Sequence, residues 1–294
     1  MTQALGRGRF MSANCSLPHF HPATPRDLEQ TMATTKGLPE LEKSKANRST
    51  AGRRVFEDGT DAIRKEGRVF RLSREVEAME FVASRTSIPI PQIIETHLDA
   101  EPTSAGRSPL GWILMKRMPG QNLGEAWSTM TETARERTES QLKSYIHQLR
   151  QLPSPRPGYI CSCSGGPAYD HRITNMSTCG PFATIGEFHD SLVAPIKDSP
   201  RPEWAEKYRK LLPDTHSVVF AHADLSWENI LVDAESGDVT AVLDWEMAGF
   251  WPEWWEYRKA LYGSRSQRWW RDVLSKIMDK YDTETEADMD VEMY

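Results

Sequence analysis

Cysteine is scarce in this chain: Cys15, Cys161, Cys163 and Cys179 are all there is in 294 residues. That is too few for a disulfide scaffold, and no secretory signal peptide is evident, so reduced thiols in the cytoplasm are the expectation. No apolar run approaches the length that crosses a bilayer, so no membrane partner is expected. Basic charge is not in excess either. A net charge of −6 and a pI near 5.8 argue against nucleic-acid binding, which leaves a basic footprint. No internal repeat is visible. Glycine is thin where a phosphate-binding loop would need it, with only Gly52 and Gly59 near the first strands.

The first fifty residues lack hydrophobic periodicity. They carry Pro18, Pro22, Pro25 and Pro39 among many Ser and Thr, and the expectation for 1–51 is a disordered extension. Arg7, Arg9 and Arg26 without acids in 1–26 leave a mitochondrial transit peptide as the minor alternative.

What is present is concentrated in 222–244. The run His222-Ala223-Asp224-Leu225-Ser226-Trp227-Glu228-Asn229 is a His-x-Asp followed by an Asn. That spacing fits a kinase catalytic loop. Ile230–Val232 and Val239–Leu243 read as two strands around a Gly237-Asp238 turn. Such a hairpin brings Asn229 at its start beside Asp244 at its end. Phosphoryl transfer needs a carboxylate to orient the attacking hydroxyl, here Asp224. It also needs oxygen ligands for magnesium, here Asn229 and Asp244. His222 is placed as a support of the loop.

These residues carry a resemblance. HADLSWENILVD at 222–233 and VLDWEMAGFWPEWWEY at 242–257 resemble the aminoglycoside phosphotransferase and choline kinase-like enzymes, in particular their fungal branch. REVEAMEFV at 74–82, SIPIPQI at 87–93, GWILMKRMPGQNL at 111–123 and GPFATIGEFHDSL at 180–192 agree in order. The resemblance implies an α+β, bilobal protein-kinase-like fold, with a small β-rich N-lobe holding one key helix and a larger, mainly helical C-lobe. It implies transfer of the γ-phosphate of a nucleotide, ATP or GTP, to a small-molecule hydroxyl. Ordinary protein kinases are disfavoured, because Asp244 precedes Trp245-Glu246 and no Ala-Pro-Glu segment follows.

On this reading the N-lobe runs over 52–116 and the C-lobe over 117–294. Arg54–Phe56 and Ala62–Lys65 are expected strands, and Ser73 is the expected cap of a helix reaching Ser84. Glu75 shares a helix face with Met79 and Val82, so an inward carboxylate there needs a cation. Lys65 is the nearest candidate, and such a pair positions nucleotide phosphates in kinases. Trp112–Met115 is an expected strand leading into a hinge. Met115 and Met118 are the candidates to pack the nucleotide base there and Arg117 is a further nucleotide-binding candidate, although methionines at such spacing more often fill a core.

In the C-lobe, Thr129-x-x-Glu132 and Thr184-x-x-Glu187 read as capping boxes. Pro252-Glu253 is expected to open a helix, and Gln267–Tyr281 to form the last strong one. Trp251, Trp254, Trp255, Tyr257, Trp269 and Trp270 are expected to pack a core rather than a substrate. Glu246, Glu253 and Glu256 are candidates to face an acceptor. Asp282, Glu284, Glu286, Asp288, Asp290 and Glu292 read as a solvated, dispensable tail. Cys161, Cys163, His171 and Cys179 form a weak zinc candidate, since their spacing fits no common motif. The competing functional reading is a kinase-like binding protein without turnover. Asp224, Asn229 and Asp244 argue against it and the thin phosphate loop for it. The oligomeric state is not legible.

Overall fold

A computed structural model describes residues 48–50, 53–98, 109–174, 177–262 and 267–294, all within one folded unit, Lys45–Tyr294. The expectations for 1–47, including any targeting segment, lie outside the described residues.

The first lobe is an antiparallel sheet. Its strands are β1 (Arg48–Thr50), β2 (Arg53–Asp58), β3 (Ala62–Arg68), β4 (Ile93–His97) and β5 (Leu110–Lys116), in the order β1-β2-β3-β5-β4. Gly59 makes the β2–β3 turn with φ +70, a conformation that costs glycine little. Helix α1 (Val69–Ala83) follows β3 directly. It starts before Ser73, and Arg68 occupies the N-cap position without its side chain capping the helix. The Val69 N–H is instead satisfied by the Pro109 carbonyl at 2.9 Å, so a tertiary contact replaces the expected local cap. Leu72, Glu75, Ala78, Met79 and Val82 make its buried stripe.

The second lobe begins with the short strand β6 (Gln121–Asn122) and helix α2 (Leu123–Ala126). Helix α3 (Glu132–Arg150) is capped by Thr131, whose hydroxyl accepts from the Ala134 N–H at 3.2 Å. Thr129 is not the cap, because its hydroxyl donates to the Ala126 carbonyl at the end of α2. Helix α4 (Ile185–Lys197) keeps the expected Thr184 cap, which accepts from Glu187 N–H at 3.1 Å while Glu187 Oε2 accepts from Ala183 N–H at 2.8 Å. Helix α5 (Glu203–Arg209) follows.

The core of this lobe is threaded by β7 (Val218–Ala221), β8 (Ile230–Val232), β9 (Val239–Val242) and β10 (Gly249–Pro252). β8 and β9 form the expected hairpin, with β6 added to its edge. Pro252 does not open a helix. It ends β10, paired with β7 through Pro252 opposite Val218, and α6 (Trp255–Tyr262) begins later. An all-apolar run buried on both faces favours a strand over an amphipathic helix. Trp251, Trp254, Trp255 and Trp270 are fully buried and build the core.

Helix α7 (Arg268–Ile277) is shorter than expected, and the acidic tail is not a tail: Asp282–Val291 forms α8. Ala287 and Val291 face the core, and Asp288 is completely buried. Asp288 accepts from Arg258 Nε at 2.5 Å and from Arg172 Nη2 at 2.8 Å. Glu284 bonds His216 at 2.8 Å and Asp282 accepts from the Tyr257 hydroxyl at 3.0 Å. Charge counting missed this, because the cations that claim these acids lie in distant segments.

Candidate active site

The two lobes meet at Asp244, which Arg53 of β2 and Lys65 of β3 reach at 2.8 Å. The hairpin brings Asn229 and Asp244 together as expected, and the Leu243 N–H donates to the Asn229 carbonyl at 2.8 Å. The Asn229 amide donates to the Asp224 backbone carbonyl at 2.9 Å and to Asp224 Oδ2 at 3.2 Å. Both amide protons therefore go to Asp224, and the amide oxygen remains as an acceptor. Ala223 and Asp244 are the two non-glycine residues with positive φ among the described residues, at +60 and +65. Left-handed backbone costs a non-glycine residue about 1–2 kcal/mol. Two such positions flanking one site mark a loop held by its surroundings.

His222 is one of those holds. It is fully buried, with Nε2–H donating to the Leu243 carbonyl at 2.9 Å and Nδ1 accepting from the Asp224 N–H at 3.1 Å. Burial depresses its pKa to about 4, which matches a neutral ring that donates from one nitrogen and accepts at the other. The second hold is Glu256, whose Oε2 accepts from the N–H groups of His222 at 2.5 Å and Ala223 at 3.3 Å. Glu256 therefore lies behind the loop rather than facing an acceptor. Glu253 is taken by His216 and the Ser217 N–H, and Glu246 by Arg71 on α1 and by Arg53.

Burial raises the Glu256 carboxyl to about 7 from an ordinary value of 4.5, against the pull of its two N–H donors. The folded state then holds a proton that the unfolded state releases between those values. Stability from this group is lost as pH rises through that window. Glu256→Gln keeps an acceptor oxygen and removes the charge. Its stability relative to wild type is expected to rise from near zero at pH 4.5 to about 3 kcal/mol in favour of the variant at pH 8. Denaturant melts at the two pH values measure this, and a difference independent of pH would contradict it.

Lys65 and Glu75 meet as the α1 face demands. Lys65 Nζ lies 2.7 and 2.8 Å from the two Glu75 oxygens and 2.8 Å from Asp244 Oδ1. Burial alone would discharge this lysine, but Asp244 and Glu75 outweigh it and hold its pKa above the ordinary range. Arg53, which sequence reasoning missed, sends Nη1 to both Asp244 oxygens at 2.8 and 3.0 Å and to Glu246 at 3.2 Å. Lys65 and Arg53 overcome burial and keep Asp244 ionised well below the usual carboxylate range. Burial, then the neighbouring Asp244, raises Asp224 to about 7.

Glu75, Asp244 and Glu246 each present a carboxylate oxygen within 4.8 Å of the others. Glu75 and Glu246 are sealed, with side chains 2% and 0% exposed, whereas Asp244 is 22% exposed. Of these three carboxylates Asp244 is thus the one open to a ligand, and hard oxygen donors suit magnesium. Met115 lies in the β5 core at 8% exposure. The Arg117 N–H is spent on the Asp61 carbonyl at 2.8 Å, and its side chain pairs with Glu57 at 3.2 Å. Among the described residues, Cys161, Cys163 and Cys179 are buried free thiols and gather no metal cluster with His171.

A five-stranded antiparallel sheet with one helix, closing on a larger helical lobe through a His-x-Asp loop and a strand-end Asp, defines a protein-kinase-like fold. The chain belongs to the phosphotransferase enzyme family, whose model matches residues 64–288. Its fold is similar to the GDP complex of aminoglycoside 2'-phosphotransferase-IIIa, with a TM-score of 0.57 and 14% identity over 90% of this chain and 87% of that one. It is also similar to the streptomycin–ATP ternary complex of APH(2")-IIa, with a TM-score of 0.54 and 11% identity over 92% and 87%. Among curated proteins it is 25% identical over 228 residues to the clavilactone A biosynthesis cluster protein Y of Ampulloclitocybe clavipes. That match takes 68% of this chain but 55% of the relative, so the chain spans about half the length of the curated relative it matches. Among the described residues, no helix is long and apolar enough to cross a membrane.

Proposed function

We propose that this protein is a magnesium-dependent O-phosphotransferase that moves the γ-phosphate of ATP or GTP to the hydroxyl of a small molecule. The observation that supports this most is the meeting of Asp224, Asn229, Asp244 and the Lys65–Glu75 pair at one cleft. Asp224 orients the acceptor hydroxyl and receives its proton. A carboxyl held near neutrality by burial suits that task. Asn229 keeps the Asp224 carboxylate in place through its amide protons. Lys65, fixed by Glu75, contacts the nucleotide phosphates. Magnesium, held by Asp244 and the Asn229 amide oxygen, would neutralise phosphate charge against the incoming oxygen.

The direct test is a γ-phosphate-labelling screen over aminoglycosides, choline-like amines, sugars and clavilactone-type small molecules. Labelling of a hydroxyl-bearing acceptor that requires magnesium is the expected result. Nucleotide binding without transfer to any acceptor would favour a binding protein of the same fold.

The metal assignment has its own test. Asp244→Ala removes a charged ligand and is expected to abolish most magnesium-dependent stabilisation by nucleotide. Asn229→Ala removes a neutral ligand and is expected to do less. Magnesium titrations of the nucleotide-induced melting shift measure both, and a reversed order would overturn the assignment.

A further inference from the structure

Two cations converge on Asp244, and the proposed function uses only one of them. Lys65 has Glu75 as a second, permanent partner. Arg53 has only a share of Glu246, which Arg71 already holds. It is held to Asp244 and Glu246 by Nη1, and its Nε is buried without a partner. Its position follows from strand alternation. Val55 lies opposite Lys65 in the β2–β3 ladder, and Arg53 is two residues earlier, so Arg53 and Lys65 share one face of the sheet. Arg54 points to the other face and pairs with Glu66 at 2.8 Å.

Phosphates in kinase-like sites are otherwise cradled by the backbone of a glycine-rich loop. The first strands carry only Gly52, directly before Arg53 in sequence, and Gly59 at the β2–β3 turn, at the opposite end of β2. Where the glycine cradle is thin, β2 places a guanidinium over the proposed metal ligand. A guanidinium forks onto phosphate oxygens as it does onto a carboxylate.

Resting on the phosphotransfer reading, we propose that Arg53 is a phosphate-binding residue for the nucleotide. It rests on Asp244 when no nucleotide is present. A divalent cation on Asp244 repels it, and the triphosphate offers the anion that receives it.

The proposal predicts opposite signs in two binding measurements on one variant. Arg53→Gln removes the cation that competes for Asp244, so magnesium alone is expected to bind more tightly. The same variant is expected to bind magnesium–ATP or magnesium–GTP about tenfold more weakly, or worse, through loss of charged hydrogen bonds. Adenosine or guanosine affinity is expected to stay unchanged. Arg54→Gln, an equal charge change on the opposite face, controls for net charge, and Arg53→Lys is expected to recover part of the loss. Calorimetric titrations of the purified full chain read all of these, with melting curves confirming folded variants.

Unchanged or tighter triphosphate binding by Arg53→Gln would make Arg53 a plug rather than a ligand and overturn the proposal alone. Should Arg53→Gln fail to fold, Arg53→Lys decides, since triphosphate affinity equal to wild type would refute bidentate phosphate binding. Failure of the wild-type protein to bind either nucleotide with magnesium would overturn the phosphotransfer reading and this inference together.

Discussion

Asp224→Asn is expected to lower turnover on an identified acceptor by about 100- to 10,000-fold, the range that a positioned general base supplies. Nucleotide affinity is expected to persist, because the substitution leaves Lys65, Asp244 and the Asn229 amide oxygen in place. Asparagine matches aspartate in size, and its carbonyl oxygen still accepts from the Asn229 amide that now meets Asp224 Oδ2 at 3.2 Å. The loop geometry therefore survives, held from behind by His222 and Glu256. Steady-state kinetics with nucleotide titration separate the two effects, since a loss confined to kcat marks an interaction made in the transition state. Turnover near the wild-type rate would remove Asp224 from the role of base.

Asp288→Ala is expected to cost about 3 kcal/mol or more, the penalty for leaving a buried charge without its partner. Arg258 is completely buried and depends on Asp288 Oδ2 at 2.5 Å, while Arg172 reaches Asp288 Oδ1 at 2.8 Å. Glu292 still reaches Arg258 Nη2 at 2.6 Å and keeps the loss from being larger. For a chain of this size the loss corresponds to a fall of about 10 °C in melting temperature. Glu286→Ala, an exposed acid on the same helix, is expected to change stability by less than about 0.5 kcal/mol. Truncation after Tyr281 removes Asp282, Glu284, Asp288 and Glu292 together and is expected to unfold the second lobe. Thermal melts of the three variants decide the matter. An intact melt after truncation would return the segment to a solvated tail.

The contrast between these two sites shows where sequence reading succeeds. Asn229 and Asp244 were legible because a hairpin joins them, and the β8–β9 pairing follows from local β-branched runs and a Gly-Asp turn. Glu75 was legible because helix periodicity turned a carboxylate inward, and an inward carboxylate needs a cation. The Thr184 cap was legible because its partners lie within one helical turn. Each of these arguments spans a few residues or one period.

Arg53, Arg71 and Glu256 were not legible. Arg53 meets Asp244 across 191 positions, Arg71 meets Glu246 across 175, and Glu256 meets His222 across 34. Nothing in the spacing of these residues distinguishes a committed charge from a solvated one. The acidic segment 282–294 shows the error at its largest. Its composition matches a solvated tail, yet Arg172 and Arg258 recruit it into a helix with a buried aspartate. The chain's own order determined the β8–β9 hairpin, the His-x-Asp spacing and the approach of Asn229 to Asp244, because those rest on local periodicity and turns. Only the tertiary structure decided which charges are paired and which face the cleft, because an ion pair depends on distance in space and on the burial around it.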